Sequence, residues 1–314
     1  MSNANTNSIR LGTRNSPLAL IQANMLVDAI AFAYPEVEVE IIAIQSAADW
    51  KKQDGEVSLS AQEGGKGQFA KEIETMHLQG KIDCGVHSLK DMPAFLPEGL
   101  QISHFLPRAN PCDAFISAKY KSIDDLPEGA VVGTCSPRRQ ALVLSKRPDL
   151  KIVPFRGNVQ TRLDKIAAGQ VDATFLAMAG IERLGIKDDM IQPMTTDEFL
   201  PACGQGIVCM EIKNDDAPIH QLMDSVHCVE TGYCAVAERE VLKILDGSCH
   251  TPIAAYAVMN GSKMHLKALV ASLDGLQVFH EALKQSCSDT SDAIAIGQEV
   301  GNKLKKILPE GILQ

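Results

Sequence analysis

Ile82-Asp83-Cys84-Gly85-Val86-His87-Ser88-Leu89-Lys90-Asp91-Met92-Pro93 is the stretch from which the fold can be read. Its first half is a short apolar run of the kind that forms a buried strand, and Pro93 disfavours helix at the residue before it, so the chain turns there. In open α/β sheets, ligands bind outside the carboxyl ends of the strands. Ser88, Lys90 and Asp91 therefore leave this strand as a hydroxyl, an ammonium and a carboxylate at the position where a crevice would lie. Two readings stand at this point: a solvated ion pair on a surface turn, or groups that face a ligand.

Upstream, Ile9-Arg10-Leu11-Gly12 reads as a first strand that passes through Thr13-Arg14-Asn15 into Ser16-Pro17. Ser16 suits an N-cap and Pro17 the first helical position. The helix that follows repeats Leu18, Ile21, Met25, Ala29 and Phe32 at spacings of three or four, which predicts one apolar face. Arg14 thus precedes a helix N-terminus, whose free N–H groups also favour anions. Val37, Val39 and Ile41 alternate as a strand, and residues 47–62 have the composition of a loop. Gly64-Gly65-Lys66-Gly67 opens a second helix with Phe69, Ile73 and Met76 on one face, but it lacks the Ser/Thr of a phosphate-binding loop. Leu100 to Leu106 is another strand, and Pro107-Arg108-Ala109-Asn110-Pro111 reads as a crossing into a second domain.

That second segment repeats the alternation of strand and helix. Strands are expected at Ala114-Phe115-Ile116, Ala130 to Gly133, Lys151 to Phe155 and Asp172 to Leu176. Thr134-Cys135-Ser136-Pro137-Arg138-Arg139 again couples a Ser N-cap to Pro, and puts two arginines in the first helical turn. Cations there oppose the helix dipole at a cost of tenths of a kcal/mol to about 1 kcal/mol, so a bound anion explains the pair better than helix stability does. Arg156-Gly157-Asn158 leads into a helix carrying Arg162, Leu163 and Ile166, and Arg183 closes a short helix. Arginine recurs wherever a strand passes into a helix, as expected of a crevice lined for carboxylates or phosphates. Leu200-Pro201-Ala202-Cys203-Gly204-Gln205-Gly206 reads as a return crossing into the apolar strand Ile207 to Ile212. Two crossings between two α/β lobes match a hinged binding protein with its ligand in the cleft.

The remainder is α+β: a helix from Ala235 to Leu245, three strands between Pro252 and Leu283 separated by Asn260-Gly261 and Asp274-Gly275, and a last helix from Ser291 to Leu308. Those dipeptides are hairpin signals. Cys249 stands in the polar loop Asp246-Gly247-Ser248-Cys249-His250-Thr251-Pro252, where exposure favours a covalent role over an inert loop thiol without deciding between them.

Composition sets the outer limits. With 314 residues, 45% hydrophobic and 22% charged, the chain exceeds a single core and predicts two or three globular domains. No apolar run approaches the roughly 20 residues that span a bilayer, and the polar N-terminus has no signal core, so a cytoplasmic protein without membrane contact is expected. Nine cysteines, odd in number and without a Cys-x-x-Cys pair, argue against a disulfide framework and against a zinc site. A net charge of −9 disfavours nucleic-acid binding, whereas a local arginine cluster in an acidic chain points to a small polyanion.

The chain resembles the porphobilinogen deaminase (hydroxymethylbilane synthase) family. The residues that carry the resemblance are Thr13-Arg14-Asn15-Ser16-Pro17-Leu18-Ala19-Leu20, Gly64-Gly65-Lys66-Gly67-Gln68-Phe69, His87-Ser88-Leu89-Lys90-Asp91-Met92-Pro93, Arg138-Arg139-Gln140, Arg156-Gly157-Asn158-Val159, Pro201-Ala202-Cys203-Gly204-Gln205-Gly206, Ala237-Glu238-Arg239, and Cys249 with Pro252-Ile253. The resemblance implies two α/β lobes like those of hinged periplasmic binding proteins, 1–106 with 207–224 and 112–200, plus a smaller α+β domain over 229–314. It implies a dipyrromethane cofactor in thioether linkage to Cys249. The reaction it implies is head-to-tail condensation of four porphobilinogen molecules, with loss of ammonia, into linear hydroxymethylbilane by a monomer that uses no metal.

By the same match, Asp91 is the catalytic acid and base. Ser88, Lys90, Thr134, Ser136, Arg138, Arg139 and Arg162 hold the cofactor, while Arg14, Ser16, Lys66, Phe69, Arg156, Arg183 and Gln205 hold the substrate. The chain departs from the family pattern in three places. Ser46-Ala47-Ala48-Asp49 stands where Thr-Arg/Lys-Gly-Asp is frequent, Cys135-Ser136-Pro137 where Ser-Ser-Leu is common, and Ser248 where a glycine often precedes the cysteine. A two-lobed binding or sensor protein for a small polycarboxylate is the alternative, distinguished by ligand binding without ammonia release.

Overall fold

The computed structural model describes residues 8–45, 70–245 and 251–312. The first lobe holds β1 (Ser8–Arg14), α1 (Pro17–Ala33), β2 (Glu38–Ile44), α2 (Lys71–Leu78), β3 (Cys84–Ser88) and β4 (Leu100–Phe105). In the second lobe follow β5 (Asp113–Ile116), β6 (Val131–Gly133), α3 (Pro137–Lys146), β7 (Lys151–Val153), α4 (Val159–Ala167), β8 (Ala173–Ala177), α5 (Met178–Arg183) and β9 (Ile191–Pro193). The chain then returns through β10 (Val208–Lys213) and α6 (Ala217–Asp224) to a last unit of α7 (Val229–Ile244), β11 (Ile253–Asn260), β12 (Lys263–Ala271), β13 (Val278–Ser286) and α8 (Thr290–Ile307).

The two lobes share one plan. The first sheet runs β2-β1-β3-β10-β4 and the second β7-β6-β8-β5-β9. In each, the first two pairings are parallel and the last two antiparallel. Both first parallel strands, β1 and β6, end in a Ser-Pro helix start. Ser16 accepts from the Ala19 N–H and Ser136 from the Arg139 N–H, each with proline in the first turn, as the sequence predicts. The carboxyl ends of β1, β3 and β6 therefore deliver Arg14, Lys90-Asp91 and Arg138-Arg139 to one side of their sheets.

Hydrophobic burial fixes these layers. Ile9 and Leu11 of β1 pack on Leu26 and Ile30 of α1 and on Val208, Met210 and Ile212 of β10. In the second lobe, Phe175 stacks on Phe199 with ring centroids 5.0 Å apart. Their cluster includes Ala254, Leu269 and Ala271, which seats the C-terminal sheet on this lobe. That sheet is an antiparallel meander, with Gly261 and Gly275 of the predicted hairpins at φ 61° and 72°. Gly275 abuts the backbone of α3, where a Cβ would meet Ser145 N and Ala141 O.

Three expectations need correction. In α1 the buried residues are Gln22, Ala23, Leu26 and Ile30, while Phe32 is 92% exposed. This helix is apolar on nearly every side, so spacing alone could not select the face. The second helix begins at Lys71, after Ala70, and its buried side includes Glu74 and His77 as well as Ile73. α6 and β9 are additional elements. The eight cysteines among the described residues are free thiols, and five of them are buried. No helix among the described residues is long and apolar enough to cross a membrane.

Candidate active site

A cleft of about 880 Å³ lies between the lobes, within the size range of small-molecule sites. Every described residue of the predicted set lines it: Ser88, Lys90 and Asp91 from the end of β3; Arg14 and Ser16 from the end of β1; Thr134, Ser136, Arg138 and Arg139 from the start of α3; Arg156 and Arg162 around α4; Arg183 of α5; and Gln205 of the return crossing. Lys66, Phe69 and Cys249 fall outside the described residues. Leu242 and Thr251, which flank the cysteine loop on either side, both line the cleft.

The stretch from Ile82 to Pro93 contains a single 3-10 turn, Leu89–Asp91, directly after β3. Its orientation is fixed from three sides. Val208 pairs with Ser88 and Cys209 with His87 across β10. Ser88 Oγ exchanges hydrogen bonds of 2.8 and 3.1 Å with the buried amide of Gln22 on α1. From α7, Arg239 Nη2 donates to the carbonyls of Pro93 and Ala94. His87 is buried in the interior, Met92 is buried at the edge of the cleft, and Asp91 is the only acid among the described lining residues. Lys90 is lowered to about 8, chiefly by burial, with Arg139 and Arg138 acting in the same direction and Asp91 and Asp113 opposing it.

Arg138 and Arg139 already have an anion inside the protein. Asp113, fully buried on β5, accepts from Arg138 Nη2 at 2.8 Å and from Arg139 Nε and Nη2 at 3.0 and 2.6 Å. The remaining bonds run to carbonyls, from Arg138 Nη1 to Leu200 and from Arg139 Nη1 to Phe175, both at 2.8 Å. Desolvation alone would raise the Asp113 carboxyl, but the two guanidiniums and Lys90 hold it down at about 2. The anion expected from the sequence at this helix start is thus met first by Asp113, which sits in an apolar strand and carries no motif of its own.

The crossings are pinned just behind the cleft. Arg183 Nη2 donates to Gly206 O at 2.8 Å, and Gln205 Nε2 donates to Pro111 O at 2.7 Å. Glu238 of α7, fully buried, accepts from Arg108 Nη1 on the outward crossing at 2.5 Å, from Gly204 N on the return crossing at 2.6 Å, and from Ala257 N of β11 at 2.7 Å. In the sequence, Ala237-Glu238-Arg239 carries part of the family resemblance and no role of its own. Its two charges clamp the crossings and the end of the Lys90-Asp91 stretch.

The residues present fit an anionic oligopyrrole. A dipyrromethane carries acetate and propionate groups on each ring. Among the described residues the cleft offers Arg14, Lys90, Arg138, Arg139, Arg156, Arg162 and Arg183 against one lining acid, with Arg138 Nε, Arg183 Nε and Gln205 Oε1 buried and without hydrogen-bond partners. Among the described residues, no group of His, Cys, Asp and Glu is arranged to hold a metal ion.

A two-lobed α/β chain, crossed twice and enclosing a cation-lined cleft beside a smaller α+β unit, defines the class: a cleft protein built for a polycarboxylate. Two family models match, the porphobilinogen deaminase dipyrromethane cofactor binding domain over residues 9–221 and the porphobilinogen deaminase C-terminal domain over residues 232–306. The porphobilinogen deaminase of Nitrobacter hamburgensis is 44% identical over 298 residues, covering 94% of this chain and 92% of its own. That of Alkaliphilus metalliredigens is 39% identical over 297 residues, covering 95% and 92%. Among solved structures, the methionine-binding protein MetQ aligns over 75% of this chain and 96% of its own, with 15% identity and a TM-score of 0.43. The chain belongs to the porphobilinogen deaminase family.

Proposed function

We propose that this chain condenses four porphobilinogen molecules head to tail into hydroxymethylbilane on a dipyrromethane held by Cys249, releasing one ammonia per ring and taking up one water whose oxygen becomes the product's hydroxyl. The observation that carries this reading is the convergence of Asp91 and the cations of both lobes on one cleft, which the residues flanking Cys249 also line. The covalent dipyrromethane supplies the pyrrole end onto which the first substrate ring is joined.

Asp91 stands at the carboxyl end of β3, half-buried and beside Lys90. Its carboxylate accepts hydrogen bonds from pyrrole N–H groups and assists departure of the substrate's amine as ammonia. It then offsets the positive charge left on the substrate's azafulvene and receives the ring proton released when the new carbon–carbon bond forms. Lys90, Arg138, Arg139 and Arg162 hold the carboxylates of the attached rings, while Arg14, Arg156 and Arg183 hold those of the arriving one. Ser16 and Ser136 work chiefly as helix caps, because their hydroxyls already accept backbone N–H groups. The N–H groups of those first turns add donors for anions.

Intact-mass spectrometry tests the reading. Protein made in cells that synthesise porphobilinogen is expected to carry an adduct of two pyrrole units that disappears in Cys249→Ser. An unmodified wild-type chain that releases no ammonia from porphobilinogen sinks it and favours the polycarboxylate-binding alternative.

A further inference from the structure

We propose that Asp113 is a positioning residue for the reaction, a resident counter-anion that keeps Arg138 and Arg139 assembled and turned to the cleft before any ligand carboxylate arrives. The inference rests on the reading of the cleft given above. Two guanidiniums of 4% and 7% exposure share one fully buried carboxylate, so one positive charge of the pair stays uncompensated. An ion pair serving only the fold would need one arginine, because a buried charge without a partner costs more than the pair returns. Lys90 adds a third cation on the facing lobe, and Asp91 a second anion.

The geometry of the cluster accounts for the surplus. Asp113 Oδ1 takes two donors of Arg139 and Oδ2 takes one of Arg138. Each guanidinium is thereby fixed along one edge, and each also bonds a carbonyl. Arg138 Nε, buried and without a hydrogen-bond partner, is a donor that neither Asp113 nor the carbonyls satisfy. Removal of Asp113 would leave two adjacent guanidiniums repelling each other until a ligand carboxylate gathered them. It would also strip Lys90 of one of the two anions that hold its proton, the other being Asp91, while Arg138 and Arg139 continue to act against that proton.

The experiment compares full-length wild type, Asp113→Asn and Asp113→Glu, with folding checked by circular dichroism. Lys90 is titrated by competitive acetylation read by mass spectrometry, and KM and kcat are measured with porphobilinogen. In Asp113→Asn the Lys90 midpoint is expected to fall by about half a pH unit or more, and KM to rise about tenfold with a smaller change in kcat. Asp113→Glu keeps the charge, so it is expected to leave the Lys90 midpoint in place while raising KM through the displaced guanidiniums. A folded Asp113→Asn with KM within about twofold of wild type and an unmoved Lys90 midpoint overturns the proposal. If Asp113→Asn does not fold, Asp113→Glu decides, and an unchanged KM in it overturns the proposal. Failure of the wild type to carry the two-pyrrole adduct or to turn over counts against the reading of the cleft, and the Lys90 titration then judges Asp113 alone.

Discussion

Replacing Glu238 by Gln changes one atom and one charge at the point where both crossings and the C-terminal sheet meet. The carboxylate accepts from Arg108 Nη1 and Ala257 N at Oε1, and from Gly204 N and Arg108 Nη2 at Oε2, in a site with no solvent exposure. A glutamine offers one oxygen, so in either orientation its NH2 faces a backbone N–H and an arginine N–H that have lost their acceptor. Arg108 meanwhile loses its only carboxylate partner among the described residues, keeping the carbonyls of Gln205 and Ala257 and the ring of Tyr256, 4.7 Å from its Cζ. Breaking a buried pair in this way costs about 3–5 kcal/mol. Because the chain has several cores, one global unfolding energy is a poor measure, and amide hydrogen exchange at Gly204 and Ala257 reads the site directly. At about 1.4 kcal/mol per decade, protection at one or both amides should fall by between about a hundredfold and a few thousandfold. Combining the change with Arg108→Gln should cost less than the sum of the single changes, since the two share one interaction. Protection within about fivefold of wild type at both amides, or strict additivity in the double variant, would refute the idea that Glu238 holds the crossings.

Two further predictions concern the site and the sheet behind it. Asp91→Asn removes acid and base capacity with little change of shape, so turnover should drop by about 10²–10⁴ while the fold and porphobilinogen affinity persist, and near-normal turnover in a steady-state assay would defeat the assignment. Burial first, and the nearby Glu211 carboxylate second, raise Glu74 to about 7 from 4.5. The stability associated with its neutral form is therefore complete below about pH 4.5 and lost as pH rises through about 7. Glu74→Gln should gain on wild type by up to about 3 kcal/mol between pH 5 and pH 8, read from thermal midpoints at the two values, and an equal offset at both would exclude the linkage.

Much of this architecture was legible because local signals and the global fold agree. Ser16-Pro17 and Ser136-Pro137 announce their helices, Asn260-Gly261 and Asp274-Gly275 announce their hairpins, and arginines after strands announce the cleft. The buried face of α1 was not legible, because an apolar helix offers several faces and tertiary contact chooses among them. α6 carries the same kind of signal, with Asp216 as its cap and Pro218 in its first turn, but the stretch is too short to stand out by periodicity. The larger omissions are Asp113 and the pair Arg108 and Glu238. The acid inside Pro111-Cys112-Asp113-Ala114-Phe115, or the first acid of Val236-Ala237-Glu238-Arg239-Glu240, has a meaning that depends on partners far away in sequence. Asp113 bonds Arg138 and Arg139 at separations of 25 and 26 residues, and Arg108 bonds Glu238 at 130. One sequence carries the acid but not the address of the partner.

The placement of β10 between β3 and β4 also sets an order of assembly on the ribosome. All strands of the second sheet have been made by residue 193, but the first sheet waits for residues 208–213. Until they emerge, β3 holds its neighbour β1 only through Leu11 with Cys84 and Gly12 with Gly85, and Ser88 has no strand partner. The nascent chain therefore completes the strands of its second sheet before β10 can pair with Ser88, and Arg239 of α7, which holds Pro93 and Ala94, follows later still. The Ser88 end of β3 thus gains its strand partner only from a segment made long after it.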